Sequence, residues 1–197
     1  MDRRAFFKHF GRRVSEKAIE HMDQRVEKKA SHWIRPPYAI AELEFLLACT
    51  RCDKCIEACP HEVVFPLPAR RGGDVVHTPA MDLLNHGCHL CSDWPCVSVC
   101  ASQALKLPLS ENNERNALPK LAIAVIETGT CLPYQGPDCG ACETSCPVPG
   151  ALEWHDFKPY INIGLCTGCA LCREACVLED KAIRIHSLNH IQRESQT

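Results

Sequence analysis

Residues 49–59 read CTRCDKCIEAC, and three further segments of the 197-residue chain repeat this cysteine pattern with small changes. The first segment and the fourth, residues 166–176, share the spacing C-x2-C-x2-C-x3-C. The second segment, residues 88–100, has four residues in its middle gap, and the third, residues 131–146, has seven in its first gap. These four motifs contain all sixteen cysteines: Cys49, Cys52, Cys55 and Cys59; Cys88, Cys91, Cys96 and Cys100; Cys131, Cys139, Cys142 and Cys146; Cys166, Cys169, Cys172 and Cys176.

The rest of the composition leaves little material for an ordinary hydrophobic core. Hydrophobic residues make up 46% of the chain, but aromatic residues only 6%, and 14 prolines and 10 glycines interrupt the pattern. A chain of this kind needs a metal or a covalent cross-link for stability. The longest aliphatic run, Leu121–Ile126, is too short to span a bilayer. A net charge of −2 with this hydrophobic content also excludes a disordered chain.

Three kinds of chemistry compete for these cysteines. Disulfides are disfavoured because the cysteines within one motif lie too close together to join distant segments. Zinc prefers two C-x2-C pairs, so the third cysteine of each motif is superfluous for a tetrahedral site. A [4Fe–4S] cube instead takes three thiolates from one winding loop and a fourth from farther away. Four motifs in succession therefore predict four [4Fe–4S] clusters, with all sixteen cysteines as iron ligands.

The pairing of the motifs is left open by the spacing. In two-cluster ferredoxins the fourth cysteine of each run binds the other cluster, so the motifs are expected to work in interlocked pairs. Tandem pairing, one with two and three with four, is supported by the polar linker at residues 110–116. Nested pairing, one with four and two with three, follows from a resemblance to the four-cluster subunits of molybdoenzymes, whose second motif also has the longer gap. We slightly favour nested pairing.

The predicted fold class is α+β, loop-rich, with two interlocked bacterial-type ferredoxin-like modules built from short strands and short helices. The expected domains are a basic arm over residues 1–35, a double ferredoxin-like domain over 36–190 with halves about 36–107 and 120–190, and a polar tail over 191–197. Strands are predicted beside the motifs, at residues 45–47, 63–65, 104–107, 123–126, 151–154, 160–163 and 182–185.

The first 35 residues differ in charge from the rest of the chain. They hold ten Lys/Arg and five Asp/Glu, whereas residues 36–197 hold twelve and nineteen. Small and apolar residues recur every four positions from Val14 to Ala30, which predicts a basic amphipathic helix. Two interpretations stand: a solvated helix on its own domain, or a docking arm for a partner protein or an anionic membrane surface. The acidic body argues against nucleic acid.

Residues Asp2–Lys8 look like a twin-arginine export motif around Arg3 and Arg4, but no apolar segment or cleavage site follows it. We therefore expect a cytoplasmic protein with no transmembrane segment. Around the first and last motifs, backbone N–H groups are expected to donate to cluster sulfurs, namely those of Thr50, Arg51, Asp53, Lys54, Thr167 and Gly168. Trp94 is expected to shield a cluster, and His89 is not expected to bind iron.

The segment Ile34–Pro37, then Glu44–Leu46 and CTRCDKCIEACP, resembles the opening of ferredoxin-type proteins of the NapF, NapG and MauM kind. The long first gap of motif three and the ending Cys172–Glu179 are similar to the same family. The resemblance implies the periplasmic nitrate reductase or methylamine utilisation systems. NapG and MauM relatives imply exported carriers that take electrons from a quinol-oxidising partner, whereas NapF relatives imply cytoplasmic maturation of a molybdoenzyme.

The function predicted from these observations is electron transport through four [4Fe–4S] clusters between redox partner proteins, such as a molybdoenzyme or a membrane quinol oxidase. Two alternatives remain: a cytoplasmic maturation factor for a molybdoenzyme, and the iron–sulfur subunit of a larger oxidoreductase. No catalytic residue is predicted, because the chain contains no G-x-G-x-x-G, no G-x-x-x-x-G-K-[ST] and no H-E-x-x-H motif.

Overall fold

The computed structural model describes residue 26 and residues 29–108 and 117–188. Most of the predicted basic arm, the linker at 110–116 and the tail at 191–197 lie outside these described residues. The helix predicted for the arm and its docking role are therefore still predictions. Residues 29–108 are called the first half below and residues 117–188 the second half, and each contains two cysteine motifs.

The first half consists of short elements joined by loops. In chain order these are helix α1 (Glu42–Ala48), helix α2 (Lys54–Glu57), strand β1 (Val64–Pro66), a 3-10 turn (Ala69–Arg71), strand β2 (Pro79–Met81) and helix α3 (Pro95–Ser98). A single residue, Ala58 or Val99, separates the end of α2 and of α3 from the fourth cysteine of motifs one and two.

The second half has more strand. Its elements are strand β3 (Ala122–Ile126), helix α4 (Leu132–Gln135), strands β4 (Leu152–His155) and β5 (Lys158–Ile161), helix α5 (Leu171–Ala175) and strand β6 (Ile183–Ser187). Helix α4 lies inside the long gap of motif three, and α5 bridges the end of motif four. The segment between Cys142 and Cys146 forms turns instead of a helix.

Both halves pair their segments in the same order, an inner pair and an outer pair. In the second half β4 and β5 form an antiparallel hairpin, and β3 pairs with β6 from Ala122↔Ser187 to Ile126↔Ile183. In the first half β1 and β2 form the inner antiparallel pair. The outer pair there is reduced to the single bridge Ala39↔Leu105. The halves therefore share a layout, but the second has the longer sheet.

Two predicted strands need correction, and one strand was not predicted. Residues 45–47 are not a strand but part of α1, because Glu42 and Glu44 lie in its first turn and Phe45 is buried with 0% exposure. Residues 104–107 contribute only the bridge at Leu105. Strand β2 had no sequence prediction, because it is only three residues long and begins with proline. The predicted strands at 63–65, 123–126, 151–154, 160–163 and 182–185 are confirmed to within three residues.

One buried cluster joins the halves. It combines Val63, Val64, Met81 and Leu83 of the first half with Leu121, Ala122, Cys169 and Ala170 of the second. The backbone N–H of Gly87 donates to Glu174 Oε2 at 2.7 Å, and Arg173 Nε donates to the Leu84 carbonyl at 3.0 Å. Motifs two and four therefore meet at this junction.

A buried ion pair fixes the start of the first half. Arg35 Nη2 lies 2.6 Å from Glu42 Oε1, with side chains 9% and 8% exposed. Arg35 also donates to the Thr78 hydroxyl and the Pro79 carbonyl, and Trp33 Nε1 donates to the same carboxylate. These bonds connect the segment before α1 to strand β2.

Among the residues that the structure describes, no helix has the length and apolar character needed to cross a bilayer.

Candidate metal centres

The structure brings the cysteines together in four sets, each combining three cysteines of one motif with the last cysteine of its neighbour. Set 1 is Cys49, Cys52, Cys55 and Cys100. Burial, followed by the nearby thiolates of Cys49, Cys100 and Cys52, raises the pKa of Cys55 to about 12. The pKa of Cys55 thus depends on Cys100 of the second motif as well as on the cysteines of its own motif.

Set 2 is Cys59, Cys88, Cys91 and Cys96. All four line one small apolar cavity together with Trp94, Pro95 and His89. Burial is the main cause that raises the pKa of Cys88 and that of Cys96 to about 12, and the thiolate of Cys59 adds to the shift of both. Here the fourth member comes from motif one.

Set 3 is Cys131, Cys139, Cys142 and Cys176, and it also lines an apolar cavity, between strand β3 and the residues after α5. Burial, followed by the thiolate of Cys131, raises the pKa of Cys142 to about 11. Burial likewise raises the pKa of Cys131, and the thiolate of Cys176 is the next largest cause. Cys176 therefore completes a set whose other members belong to motif three.

Set 4 is Cys146, Cys166, Cys169 and Cys172. Burial raises the pKa of Cys172 strongly, and the thiolates of Cys169 and Cys166 are the next largest causes. Cys146 of motif three contributes to the shifts of both Cys169 and Cys172. In both halves, the last cysteine of each motif thus lies with the first three cysteines of the neighbouring motif.

This arrangement is tandem, so the slight preference for nested pairing is wrong for this structure. Its physical basis is visible in the first half, where α2 packs against α3. Each of these helices contains the third cysteine of its motif, Cys55 or Cys96, and leads to the fourth. Their contact therefore carries each fourth cysteine to the neighbouring set.

The loops of three motifs take left-handed backbone conformations at matching positions. The residue before the second cysteine has positive φ in each of them, at Arg51, Leu90 and Gly168. The residue two positions before the third cysteine does so as well, at Asp53, Trp94 and Ala170. Successive residues that alternate hand turn their N–H groups toward one side and form a concavity that binds anionic groups, including iron–sulfur clusters.

Several N–H groups of these loops donate to sulfur. Gly168 N–H donates to Cys166 Sγ at 3.3 Å, and Leu105 N–H donates to Cys100 Sγ at 3.4 Å. The backbone N–H of Lys54 and the hydroxyl of Thr50 lower the pKa of Cys52. The expected backbone donors at Lys54 and Gly168 thus reach cysteine sulfurs, whereas Thr50 does so through its hydroxyl; these bonds favour the thiolate form.

The donor sets fit an iron–sulfur cluster. All sixteen cysteines are free, with no disulfide among them. Within the described ranges, no three His, Cys, Asp or Glu side chains converge on the position of a single metal ion. Burial first, and then repulsion between neighbouring thiolates, raises the pKa values of Cys55, Cys96 and Cys142. A positively charged core between the four thiolates of a set would offset both costs.

The sets form a continuous series through the molecule. Cys55 and Cys96 couple sets 1 and 2, and Cys142 and Cys172 couple sets 3 and 4. Across the junction, Cys88 N–H donates to the Cys169 carbonyl at 2.7 Å, and the thiolate of Cys169 raises the pKa of Cys88. The spatial order is therefore set 1, set 2, set 4, set 3.

For three residues beside the sets, the sequence predicted the position or contacts to different degrees. Trp94 lines the cavity of set 2, as expected for a shielding residue. His89 stacks on His61 with ring centroids 3.5 Å apart, a partner that the sequence did not indicate. Trp154 lines the cavity of set 3 and was missed. The signal that reveals it is the alternation of β4, which turns Leu152 and Trp154 to the less exposed face.

Comparison with known proteins adds an independent observation. The chain is 31% identical to the methylamine utilization ferredoxin-type protein MauM of Methylobacillus flagellatus, over 93% of this chain and 83% of that protein. It is 31% identical to the ferredoxin-type protein NapG of Escherichia coli, over 85% of this chain and 76% of the relative. The chain belongs to this family of ferredoxin-type proteins.

The family resemblance predicted from the motifs is thereby confirmed. The ferredoxin-type protein NapF of Escherichia coli is a further relative, 32% identical over 76% of this chain and 83% of its own length. No protein-family profile and no solved structure matches the chain. Membership of a ferredoxin-type family implies iron–sulfur electron transfer, which agrees with the sixteen free cysteines.

Proposed function

We propose that the protein carries four [4Fe–4S] clusters, one on each cysteine set, and passes single electrons between two redox partner proteins. The observation that supports this most is the exchange of the last cysteine between neighbouring motifs, which joins Cys100 to motif one and Cys59 to motif two. This exchange is the ligand pattern of two-cluster ferredoxins.

The two halves act as two ferredoxin-like modules, with boundaries near residues 36–107 and 120–190. The inner and outer strand pairs that recur in each half support this division. The repeated left-handed positions Arg51, Leu90 and Gly168 support one common loop geometry for the clusters. The sixteen cysteines are the iron ligands.

The electron path follows the order set 1, set 2, set 4, set 3. The Cys88 N–H to Cys169 carbonyl bond supports this order because it joins a ligand of set 2 directly to a ligand of set 4. Sets 1 and 3 then lie at the two ends of the series and exchange electrons with the partners. Set 1 suits this role because Cys52 is exposed.

The residues of the chain contribute burial, hydrogen bonds to sulfur and orientation, and the clusters contribute one-electron redox chemistry. Apolar walls around sets 2 and 3, which include Leu132 and Val64, keep water from the sulfurs. No substrate conversion belongs to this role. The similarity to MauM and to NapG is compatible with a nitrate-reductase-like or quinol-linked respiratory pathway. A cytoplasmic location remains a prediction from the sequence.

The test is an anaerobic reductive titration of the full-length protein with dithionite, followed by electron paramagnetic resonance. Four clusters take up about four electrons per chain, one for each cluster. The reduced protein then returns all of them to a one-electron acceptor. An uptake of about two electrons, or none, would contradict the proposal. The Cys139→Ser variant, which changes one ligand of set 3, is expected to alter a single cluster signal.

A further inference from the structure

The Trp154 side chain presents a hydrogen-bond donor for which the described residues offer no acceptor. Its Nε1 atom is buried and has no partner within hydrogen-bond distance. A buried N–H that makes no hydrogen bond costs free energy, and native proteins nearly always satisfy such groups. We therefore expect the indole N–H of Trp154 to have a hydrogen-bond acceptor in the functional protein.

Strand geometry explains why Trp154 faces inward. In β4, Glu153 and His155 are exposed while Leu152 and Trp154 lie on the more buried face. Trp154 pairs with Pro159 of β5, a residue whose side chain has no hydrogen-bonding group. The neighbouring strand thus gives the indole N–H no side-chain acceptor.

The cavity that Trp154 lines is that of set 3. Apart from the cysteines, its walls are apolar side chains, among them Ile126, Leu132, Pro133, Val177 and Leu178. The side-chain groups in this cavity able to accept a hydrogen bond are consequently sulfurs, those of Cys131, Cys139, Cys142 and Cys176 or of a cluster that they hold.

We propose that the indole N–H of Trp154 donates a hydrogen bond to a sulfur of the set 3 cluster and raises the reduction potential of that cluster. This inference rests on the proposed function. The added electron increases the negative charge on the sulfurs, so a donor stabilises the reduced form more than the oxidised form. Trp154 is thus a tuning residue at the end of the electron path, where set 3 meets a redox partner.

The test compares Trp154→Phe with Trp33→Phe in full-length, anaerobically prepared protein. Both changes remove an indole N–H and keep an aromatic ring, but Trp33 Nε1 already donates to Glu42 at 3.2 Å. In Trp154→Phe we expect one cluster to show a reduced-to-oxidised ratio roughly three- to tenfold lower at a fixed potential, where tenfold equals about 59 mV for one electron. Trp33→Phe leaves every cluster potential unchanged.

A second measurement uses the wild-type protein and so does not depend on how the variant folds. Tryptophan labelled with 15N in the indole ring is expected to give one 15N hyperfine coupling to a reduced cluster. Unchanged potentials in Trp154→Phe with all clusters present, or no 15N coupling in the labelled protein, would overturn the inference. Fewer than four clusters in the wild-type protein would instead overturn the proposed function, and iron analysis separates the two results.

Discussion

The two halves of the molecule hold the same cysteine pattern in different scaffolds. The second half joins its outer segments through the five-residue pairing of β3 with β6, whereas the first half keeps only the bridge Ala39↔Leu105. The first half compensates with the buried pair between Arg35 and Glu42. The loops around the cysteines, in contrast, repeat their left-handed positions in three of the four motifs. The comparison shows that the ligand loops are more tightly constrained than the elements that support them.

The largest expected effect is at a left-handed loop position that both halves share but that packs differently in each. A Cβ atom on Gly168 would lie 2.1 Å from the Ala122 carbonyl oxygen, at a φ of +74°. We expect Gly168→Ala to cost on the order of 4 kcal/mol or more, because it adds a clash with strand β3 to a left-handed conformation. Iron content and thermal unfolding under anaerobic conditions measure the loss, which should be confined to the second half.

The matched variant is Arg51→Ala at the same position of motif one. Arg51 already carries a side chain at positive φ and is exposed, and it donates to the carbonyls of Asp74 and Val76. We expect a cost of at most about 1 kcal/mol and full iron content. Equal losses in the two variants would mean that the close approach of Gly168 to β3 is not what distinguishes the halves.

The second prediction concerns the ion pair of the first half. Glu42→Gln removes the charge that compensates buried Arg35, and we expect a loss of about 2–3 kcal/mol, less than for complete removal because Gln still accepts from Trp33. Asp180→Asn breaks the exposed Asp180–Arg184 pair in the second half and serves as the control. Chemical denaturation that shows no difference between the two variants would refute a stabilising role for the buried pair.

The third prediction tests the junction between the halves. A Cβ atom on Gly87 would lie 2.8 Å from Leu171 Cα, so Gly87→Ala should push motifs two and four apart at a cost of about 1–3 kcal/mol. All clusters should remain, but reoxidation of the reduced protein should split into a fast and a slow phase. Gly73→Ala, where the added Cβ meets nothing within 4 Å, is the control. Single-phase kinetics in Gly87→Ala would argue against a path through Cys88 and Cys169.

The smallest expected effect is at the β4–β5 turn. Asp156 and Phe157 both have positive φ, and the Phe157 side chain is 87% exposed. Phe157→Gly should stabilise the second half by about 0.5–1 kcal/mol, because glycine adopts this turn conformation without steric cost. Leu47→Ala, which also removes an exposed apolar side chain, is the control in the first half. A lower melting temperature for Phe157→Gly would show that the ring has a contact that stabilises the fold.

Much of the site was predictable because cysteine spacing is a local property. All sixteen cysteines and the donor positions near Lys54 and Gly168 follow from the motifs. The pairing did not follow, because it depends on the packing of α2 against α3 and on which segments meet across the junction at Cys169. Helix α1 was mistaken for a strand because the run Phe–Leu–Leu is compatible with a helix or a strand. The burial of Phe45, which depends on tertiary packing, is not visible in the sequence. Trp154 was missed because an orphaned donor is visible only when its surroundings are known.

The central claim is that four cysteine sets, each completed by the neighbouring motif, hold four [4Fe–4S] clusters. Its most direct test is iron and acid-labile sulfide analysis with Mössbauer spectroscopy on anaerobically prepared full-length protein. We predict about sixteen irons and sixteen sulfides per chain, with the Mössbauer parameters of [4Fe–4S] clusters. Zinc in place of iron, or about eight irons per chain after complete reconstitution, would contradict it.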